Sequence, residues 1–288
     1  MLPLMSSSAR VAIVGPGNLG TALAAALRSA GIPIQAIVAS PRQSSLQKAK
    51  ALARQVNAKA TAQPEEIEAE IVWFCVPDSA IARVAHVFAA SGSWRERIAL
   101  HSSGALTSDE LDPLRRKGAV AASVHPLMTF VGRGQSDFSG ISFAIEGDSN
   151  AIRVARKIVK ALRGIAHPIR KQDKAAYHAW GTFASPLLTA LLATTEEVGA
   201  LAGVSRQSAR RRMGPILRQT LTNYERFGAA RGFSGPIIRG DVETVKRHLR
   251  VLRRTPAARE VYIALARAAV SYLPAKNKNA LSRLLTRD

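Results

Sequence analysis

The 288-residue sequence has little cysteine, few aromatic residues and few acidic residues. Its single cysteine, Cys75, cannot form a disulfide within the chain, and thiolates cannot build a zinc cluster. We expect no metal site and a buried, unreactive thiol, because Cys75 lies in an apolar run. Aromatic residues make up 5% and hydrophobic residues 47%, typical of a globular protein rich in Ala, Leu and Val.

The sequence also lacks a long uninterrupted apolar segment. The uncharged run from Val11 to Leu27 approaches the length of a membrane-spanning helix, but glycine and proline interrupt it at residues 15–20. The apolar stretch within residues 1–10 is too short for a secretory signal. We therefore expect a cytoplasmic protein with no membrane partner.

Acidic residues are scarce in only one half of the chain. The net charge is +21; residues 1–150 hold 14 Lys and Arg against 12 Asp and Glu, and residues 151–288 hold 27 against 8. Such an excess raises the hypothesis of nucleic-acid binding. Few aromatic residues accompany the arginines to stack on bases, so we do not expect nucleic acid as the main partner. A solvated basic surface or a cleft for an anionic substrate explains the charge more simply.

Short apolar strands alternate with helical patterns in the first part of the chain. The predicted strands cover residues 10–14, 33–39, 71–76, 98–101, 119–124, 141–146 and 165–169, and the predicted helices between them cover 18–29, 44–56, 78–90, 108–117 and 150–162. This alternation predicts an α/β fold, a Rossmann-type doubly wound parallel sheet over residues 1–169. Residues 170–288 contain no convincing strand and predict an all-α domain with helices at 174–202, 206–227, 242–254 and 256–273.

A glycine-rich motif, Gly-Pro-Gly-Asn-Leu-Gly, follows the first predicted strand and opens the first predicted helix. Gly15 permits a tight turn, Gly17 lets the backbone approach a pyrophosphate, and Gly20 lets helix and strand pack closely. The helix N-terminus attracts the phosphate charge. This strand-turn-helix context predicts a dinucleotide site that also includes Asn18 and Leu19.

The end of the second predicted strand favours NADP over NAD. An NAD site places Asp or Glu about 20 residues after the third glycine, where it holds the ribose hydroxyls. Residues 38–42 contain no carboxylate. Ser40 can hydrogen-bond a 2′-phosphate and Arg42 can pair with it, although Arg42 could also be an ordinary surface arginine.

Further candidates follow the next strands, because ligands bind at the carboxyl edge of such sheets. Val76 and Pro77 are expected to pack near the cofactor, with Asp78 as the N-cap of the next helix. Ser102 and Ser103 could contact the nicotinamide or the substrate, or could simply cap a turn.

Histidine and lysine supply the candidate proton donors. His125 precedes a proline, which holds it in extended geometry; it is either a general acid or a buried structural histidine. Lys174, His178, Thr182 and Ser185 are spaced by four, four and three residues and so share one helix face. Reduction of C=O or C=N needs a proton donor, and Lys174 or His178 could serve. A solvated lysine and a core histidine are the alternatives.

A turn-rich loop contains the last candidate. Arg239 is suited to clamp a substrate carboxylate or phosphate, and a solvated loop arginine is the alternative. Asp241 is expected to be the N-cap of the following helix.

Taken together, these motifs give the chain a resemblance to a known protein family. Over nearly its whole length the chain is similar to bacterial Rossmann-like predicted oxidoreductases that have a C-terminal helical domain of unknown function, relatives of ketopantoate, pyrroline-5-carboxylate and 6-phosphogluconate-type dehydrogenases. The motifs are Gly15–Gly20, Val76–Asp78, His101–Gly104, Val124–Leu127, Tyr177–His178, Asn223, Gly235–Ile237 and Arg239–Asp241.

The resemblance implies a C-terminal domain of the 6-phosphogluconate dehydrogenase type that commonly builds a homodimer. It implies catalysis by Lys174 and His178, with Ser102 and His125 bordering the nicotinamide pocket. One departure matters: members often have Ser-Asn where this chain has Ser185 and Pro186, which removes an amide from the site and favours a kinked helix.

The leading hypothesis is an NADP-dependent reductase that transfers hydride to a small, anionic keto acid or imine, such as ketopantoate. Ser103, Ser185 and Arg239 are its candidate substrate contacts. The alternative is a protein that binds NADP without turnover, in a regulatory or interaction role; the Pro186 departure and the lack of a clear catalytic pair favour it.

Overall fold

The structure is a computed structural model that describes residues 9–132 and 137–286. It divides into two compact units, Met1–Phe183 and Ala184–Asp288, here called unit 1 and unit 2. The domain boundary predicted between residues 169 and 170 falls within unit 1 and stays a prediction.

Unit 1 is organised around one eight-stranded sheet. Its strands are β1 (Val11–Val14), β2 (Ile34–Val38), β3 (Lys59–Thr61), β4 (Ile71–Phe74), β5 (Ile98–His101), β6 (Val120–Pro126), β7 (Ser142–Gly147) and β8 (Ile165–Pro168). They lie in the order β3-β2-β1-β4-β5-β6-β7-β8. Strand order reverses beside β1, which creates a crevice at the carboxyl ends of β1 and β4, where such folds bind ligands. The predicted Rossmann-type fold is confirmed.

Helices cover both faces of the sheet. They are α1 (Asn18–Ser29), α2 (Gln43–Val56), α3 (Asp78–Ala90), α4 (Asp112–Arg115), α5 (Ser149–Ala161) and α6 (Lys174–Thr182). Successive side chains of a strand point to opposite faces. Ile13 and Trp73 accordingly join one buried apolar cluster, and Val14 and Phe74 join the other. Burial on both faces explains why these strands are continuously apolar.

Three details of unit 1 differ from the prediction. β3 was not predicted, because three residues at a sheet edge carry almost no hydrophobic pattern. β7 runs antiparallel to β6. No helix connects these two strands in the described residues, and only a long crossover, usually a helix, can return the chain for a parallel pair. The helix predicted at 108–117 is a 3-10 turn, Ser108–Leu111, followed by the short α4.

In its described residues, unit 2 has helices as its only regular elements, as predicted. Its helices are α7 (Leu188–Leu201), α8 (Arg206–Gly232), α9 (Pro236–Arg239), α10 (Val242–Leu252), α11 (Pro256–Tyr272) and α12 (Lys278–Thr286), of which α9 and α12 were not predicted. A buried cluster joins α10, α11 and α12 through Leu249, Ile263 and Leu281. Asp241 caps α10 by accepting a hydrogen bond from the Thr244 N–H at 3.0 Å, as predicted.

The helix predicted over residues 174–202 is interrupted. A π-helical segment, Phe183–Leu187, separates α6 from α7 and contains Pro186. Proline has no N–H to donate, which accounts for the break in the helical hydrogen bonds.

Within the part of the chain that the structure describes, no single helix is long and apolar enough to cross a membrane. Two consecutive helical segments, Lys171–Leu201 and Arg206–Arg239, are long and apolar enough for a span when taken together, but the chain bends by 117° between them.

Candidate functional site

The candidate site lies along the carboxyl ends of four adjacent strands. Pairing aligns the last residues of β1, β4 and β5 with each other and with a residue inside β6: Val14, Phe74, His101 and Ser123. Neighbouring strands lie about 4.8 Å apart, so the row from β1 to β6 spans roughly 15 Å. Side chains from four separate segments of the sequence therefore meet along one edge.

The turn from β1 to α1 depends on Gly15 and Gly20. Gly15 has φ of +104°, and a Cβ there would lie 2.6 Å from the carbonyl oxygen of Cys75. A Cβ on Gly20 would lie 2.0 Å from the carbonyl oxygen of Gly15. Gly17 is exposed and precedes α1, whose first turn carries no acidic residue and no side-chain cap. The N–H groups of that turn can therefore bind an anion.

The residues next to the glycines lie as follows. The Asn18 Nδ2 atom donates to the carbonyl oxygen of Phe130 at 3.0 Å, which ties α1 to the segment after β6. Leu19 is half-buried and packs against the core. A cavity of about 470 Å³ adjoins the turn, lined by Gly17, Asn18 and Lys48 among others.

The end of β2 presents Ser40 and Arg42 with exposed side chains, and residues 38–42 bring no carboxylate to it. Val76, after β4, packs close to the glycine turn: its Cγ1 atom lies 3.1 Å from the position of a Gly15 Cβ. Pro77 immediately precedes α3. A role of these four residues in binding the cofactor stays a prediction.

His101, at the end of β5, is fully buried, and both of its ring nitrogens are hydrogen-bonded. Nε2 lies 3.0 Å from the carbonyl oxygen of Thr107, and Nδ1 accepts from the Ser103 N–H at 3.1 Å. A carbonyl only accepts, so the ring hydrogen is on Nε2. Burial lowers the pKa of His101 to about 4, and the neutral ring holds the loop after β5 in place.

Ser102 is held by the buried Trp73. The indole Nε1 donates to the Ser102 Oγ at 2.8 Å. Because an indole nitrogen can only donate, the Ser102 hydroxyl hydrogen is directed to another acceptor. Burial raises the pKa of the neighbouring Cys75 thiol to about 12, as expected of an unreactive cysteine.

Ser103 is 4% exposed, and its hydroxyl is engaged inside the protein. It donates to the Asp78 Oδ2 at 2.7 Å and accepts from the Leu106 N–H at 2.9 Å. The prediction that Asp78 is an N-cap is wrong: it is the first residue of α3, and Pro77 holds the cap position. Its carboxylate instead fixes Ser103.

Lys174 joins α6 to the edge of the sheet. Its Nζ atom donates to the carbonyl oxygen of Ser103 at 3.0 Å and to the Ser123 Oγ at 2.6 Å. The side chain is 1% exposed, and burial lowers its pKa to about 8, against the opposing effect of Glu146 and Asp78. A catalytic role for this ammonium stays a prediction, and one that requires it to leave these contacts.

Three aromatic side chains lie beside this lysine. The His125 Nδ1 is 3.2 Å from the Tyr177 hydroxyl, and their rings are perpendicular. The His178 ring lies 6.3 Å from that of His125, centroid to centroid. Both imidazoles pack on Gly104, where a Cβ would lie 2.8 Å from the His125 Nε2 and 2.7 Å from the His178 Cδ2. Burial lowers the pKa of His125 to about 4 and raises that of Tyr177 to about 12.

The predicted site residues thus separate into two groups. The structure brings together five of them in unit 1: Ser102, Ser103, His125, Lys174 and His178. The remaining substrate candidates, Ser185 and Arg239, belong to unit 2, in the π-helical segment and at the end of α9. Thr182, on the predicted polar stripe, bonds its own helix at the carbonyl oxygen of His178.

Sequence reasoning missed several residues that organise the site, namely Trp73, Ser123 and Glu146, and gave Tyr177 no role. Glu146 is buried and accepts two hydrogen bonds from Ser108, at 2.6 and 2.9 Å. A lone hydroxyl or carboxylate inside an apolar strand, as at Ser123 and Glu146, was the available signal, because a buried polar group needs a partner.

Comparison with known proteins identifies both parts of the chain. Residues 3–126 match the Rossmann-like domain family, and residues 141–269 match DUF2520, a domain of unknown function. The chain thus matches a Rossmann-like model followed by a DUF2520 model, in agreement with the family resemblance. The DUF2520 match begins before β7 and so includes α6 with Lys174 and His178.

Three solved structures share this fold. A Bacteroides fragilis protein, named provisionally as an NADP oxidoreductase, is 22% identical with a TM-score of 0.76, covering 91% of this chain and 98% of its own. Protein TM1727 from Thermotoga maritima is 24% identical with a TM-score of 0.70, covering 90% and 96%. A reductive aminase from Aspergillus terreus, in complex with NADPH and ethyl-5-oxohexanoate, is 15% identical with a TM-score of 0.67, covering 96% and 99%. No curated protein matches the sequence.

Proposed function

We propose that this protein is an NADP-dependent reductase that transfers hydride to a small, anionic keto acid or imine. One observation supports NADP as the cofactor. The Gly15 to Gly20 turn opens an uncapped helix, while the end of β2 offers exposed Ser40 and Arg42 and no carboxylate. The names of two structural neighbours, an NADP oxidoreductase and a reductive aminase with NADPH, support the same class.

The substrate class follows from charge and from the site. A carbonyl or imine needs a proton as well as a hydride, and the edge of the sheet gathers histidine, tyrosine and lysine side chains. Residues 151–288 carry a net charge of +19, which attracts an anion. Ketopantoate, a keto acid, belongs to this class. A cytoplasmic location fits the proposal and can be tested by cell fractionation.

Arg42 provides the first test of the cofactor. We expect Arg42→Ala to weaken NADPH binding by about 10- to 100-fold, because a charge-assisted hydrogen bond contributes about 1.5–3 kcal/mol. NADH, which has no 2′-phosphate, should bind both proteins alike. Arg28→Ala removes an equal charge from the last turn of α1 and serves as the matched control.

Titration of the full-length protein, followed by cofactor fluorescence, gives these affinities. Tighter binding of NADH than NADPH by the wild type would exclude the NADP assignment. An equal loss of NADPH affinity in the two variants would mean that Arg42 acts only through the overall positive charge of the protein.

A NADP-binding protein without turnover is the second candidate. The observation that favours it is Pro186, which lies in the π-helical segment; the family resemblance implies that members often carry an Asn amide at this position. Turnover of a panel of 2-keto acids and cyclic imines decides between the two. NADPH binding with no reduction of any panel member would support the silent protein.

We also propose a homodimer formed through unit 2. α7 has no buried residue, and Ala209 is the only buried residue of α8. α8 exposes large apolar side chains, including Ile216 at 66% and Leu221 at 53%, and α7 exposes Leu188 at 36%. An exposed apolar surface of this kind marks an association site. A second copy of the chain is the occupant that the family resemblance implies.

Leu221 tests the dimer. We expect Leu221→Asp to shift the mass of the particle in solution from dimer to monomer, because a carboxylate would be buried unpaired at the interface. Val251→Asp, on α10, introduces the same charge at a similarly exposed position, 51%, and should leave the mass unchanged. A wild-type monomer in light scattering would refute the dimer.

A further inference from the structure

The polar groups at the sheet edge differ in whether they can release a proton to a bound molecule. The Lys174 ammonium is 1% exposed and donates to Ser103 and Ser123. His101 is fully buried with both nitrogens engaged. His125 and Tyr177 are only partly buried, and they share a hydrogen bond.

The number of hydrogens on this pair determines what it can donate. With a neutral imidazole, the phenol and the ring together carry two polar hydrogens, and the shared hydrogen bond uses one. If the Tyr177 hydroxyl donates to His125 Nδ1, the remaining hydrogen is on Nε2. If Nδ1 donates to the Tyr177 oxygen, the remaining hydrogen is on that oxygen. Either tautomer leaves one hydrogen to give to a ligand.

Both groups hold these hydrogens at neutral pH. Burial keeps the pKa of His125 near 4, with Lys174 and His178 lowering it further, so the ring is uncharged. Burial raises the pKa of Tyr177 to about 12, so the phenol is intact. An alkoxide formed by hydride addition is a stronger base than a phenolate and can take the proton.

We propose that Tyr177, paired with His125, is the proton donor of the reductase, an inference that rests on the proposed function. The reduced nicotinamide supplies a hydride to the carbonyl or imine carbon and is oxidised, while the oxygen or nitrogen takes the proton. Donation from either tautomer ends in the same state: His125 hydrogen-bonded through Nδ1–H to the Tyr177 phenolate. Water then reprotonates the phenolate. Lys174 is a positioning residue that holds α6, and with it Tyr177, at the sheet.

Unit 2 contains a matched control pair. The His248 Nδ1 lies 3.1 Å from the Tyr262 hydroxyl, with perpendicular rings 5.9 Å apart. The pair in unit 1 has 3.2 Å and 5.5 Å. Tyr262→Phe therefore removes the same kind of hydrogen bond, between the same residue types, in the other unit.

The experiment compares substrates that need a proton with one that does not. Full-length wild type, Tyr177→Phe, Tyr262→Phe and His125→Gln are assayed with NADPH on 2-keto acids, a cyclic imine and its N-methylated iminium ion. We expect Tyr177→Phe to lower kcat on the keto acid or imine by about 10²- to 10⁴-fold, the usual contribution of a general acid. Its rate on the iminium ion and its Kd for NADPH should stay within about twofold of wild type.

The outcomes separate the two proposals. Wild-type kcat for Tyr177→Phe on the keto acid or imine overturns the proton donor and leaves the reductase standing. An equal loss on the iminium ion shows a structural role and also overturns it. A wild type that binds no NADPH, or reduces no member of the panel, overturns the reductase itself. A Tyr262→Phe variant as impaired as Tyr177→Phe would make the loss nonspecific and overturn the assignment.

Discussion

Unit 1 and unit 2 differ in the side chains that each removes from water. The buried polar residues of the described chain all lie in unit 1: Thr61, His101, Ser103, Ser108, Ser123, Glu146 and Lys174. Unit 2 buries apolar residues within α10, α11 and α12, and exposes apolar residues on α7 and α8. Among the described residues, unit 1 thus hides the polar groups, while unit 2 exposes more of the large apolar side chains, nine against five.

The difference indicates two ways of reaching a defined structure. A buried polar group costs free energy unless it is hydrogen-bonded, so each one in unit 1 fixes a partner in position. An exposed apolar surface costs free energy until another surface covers it. Unit 1 therefore fixes its candidate site with contacts made inside one unit, whereas the proposed homodimer would cover the exposed apolar residues of unit 2.

The largest effect is expected for Gly20→Ala, which tests how completely unit 1 depends on its glycine turn. The added Cβ would lie 2.0 Å from the Gly15 carbonyl oxygen. We expect a loss of about 3 kcal/mol in the free energy of unfolding, as for severe overpacking, and loss of NADPH binding. Denaturant unfolding and cofactor titration measure the two effects.

Gly17→Ala is the control for that variant. Nothing lies within 4 Å of a Cβ at Gly17, so stability should be unchanged while a phosphate is kept from the backbone. A Gly20→Ala protein as stable as Gly17→Ala would mean that the close packing of the glycine turn does not stabilise unit 1.

A smaller effect is expected for Lys174→Met. The substitution removes one hydrogen bond from each of two buried acceptors. We therefore expect the free energy of unfolding to fall by about 2 kcal/mol at neutral pH. The pKa of Lys174 is lowered from 10.5 to about 8 in the folded protein. The unfolded state therefore binds more protons between these values, and the wild-type free energy of unfolding rises with pH across that window.

Lys174→Met lacks this contribution. The difference in unfolding free energy, wild type minus variant, should increase from about pH 8 to 10.5. Urea unfolding at a series of pH values measures it. Parallel pH curves for the two proteins would mean that the lysine is not desolvated in the folded state.

The smallest effect on stability is expected for Trp73→Phe, about 1 kcal/mol from one lost hydrogen bond plus a small cavity. Trp94→Phe is the matched control: Trp94 is also buried, and its Nε1 donates to the carbonyl oxygen of Phe88 at 2.9 Å. The two variants should unfold alike. Only Trp73→Phe should lower NADPH-dependent turnover, because only it frees Ser102; equal turnover would mean that Ser102 needs no positioning.

Local patterns in the sequence predict much of unit 1. The strand, the glycine turn and the helix at residues 11–29 can be predicted from a short stretch of sequence. The same holds for the cofactor preference, which depends on the arginine at residue 42 and on the lack of a nearby carboxylate. The direction of β7 is not local, because it depends on whether the intervening chain forms a helix. Both β3 and α9, with three and four residues, are too short to show a clear period.

The contacts of the candidate site could not be predicted in the same way. Lys174 meets Ser103 and Ser123, which lie 71 and 51 residues earlier in the chain. The sequence predicts that this lysine begins a helix and lies on a polar stripe of that helix. The same pattern does not reveal that the edge of the sheet buries the lysine. Tyr177 lacks any distinguishing pattern, since its partner His125 is 52 residues away.

The hydrogen bonds of α6 have a consequence for recombining such chains. Those of Lys174 and Tyr177 with Ser103, Ser123 and His125 are all made inside unit 1, although the DUF2520 match begins at residue 141. A chimera joined between residues 183 and 184 inherits the lysine and tyrosine together with their partners. One joined at residue 140 receives a foreign α6, whose side chains must find their own partners on a sheet edge that they did not evolve with.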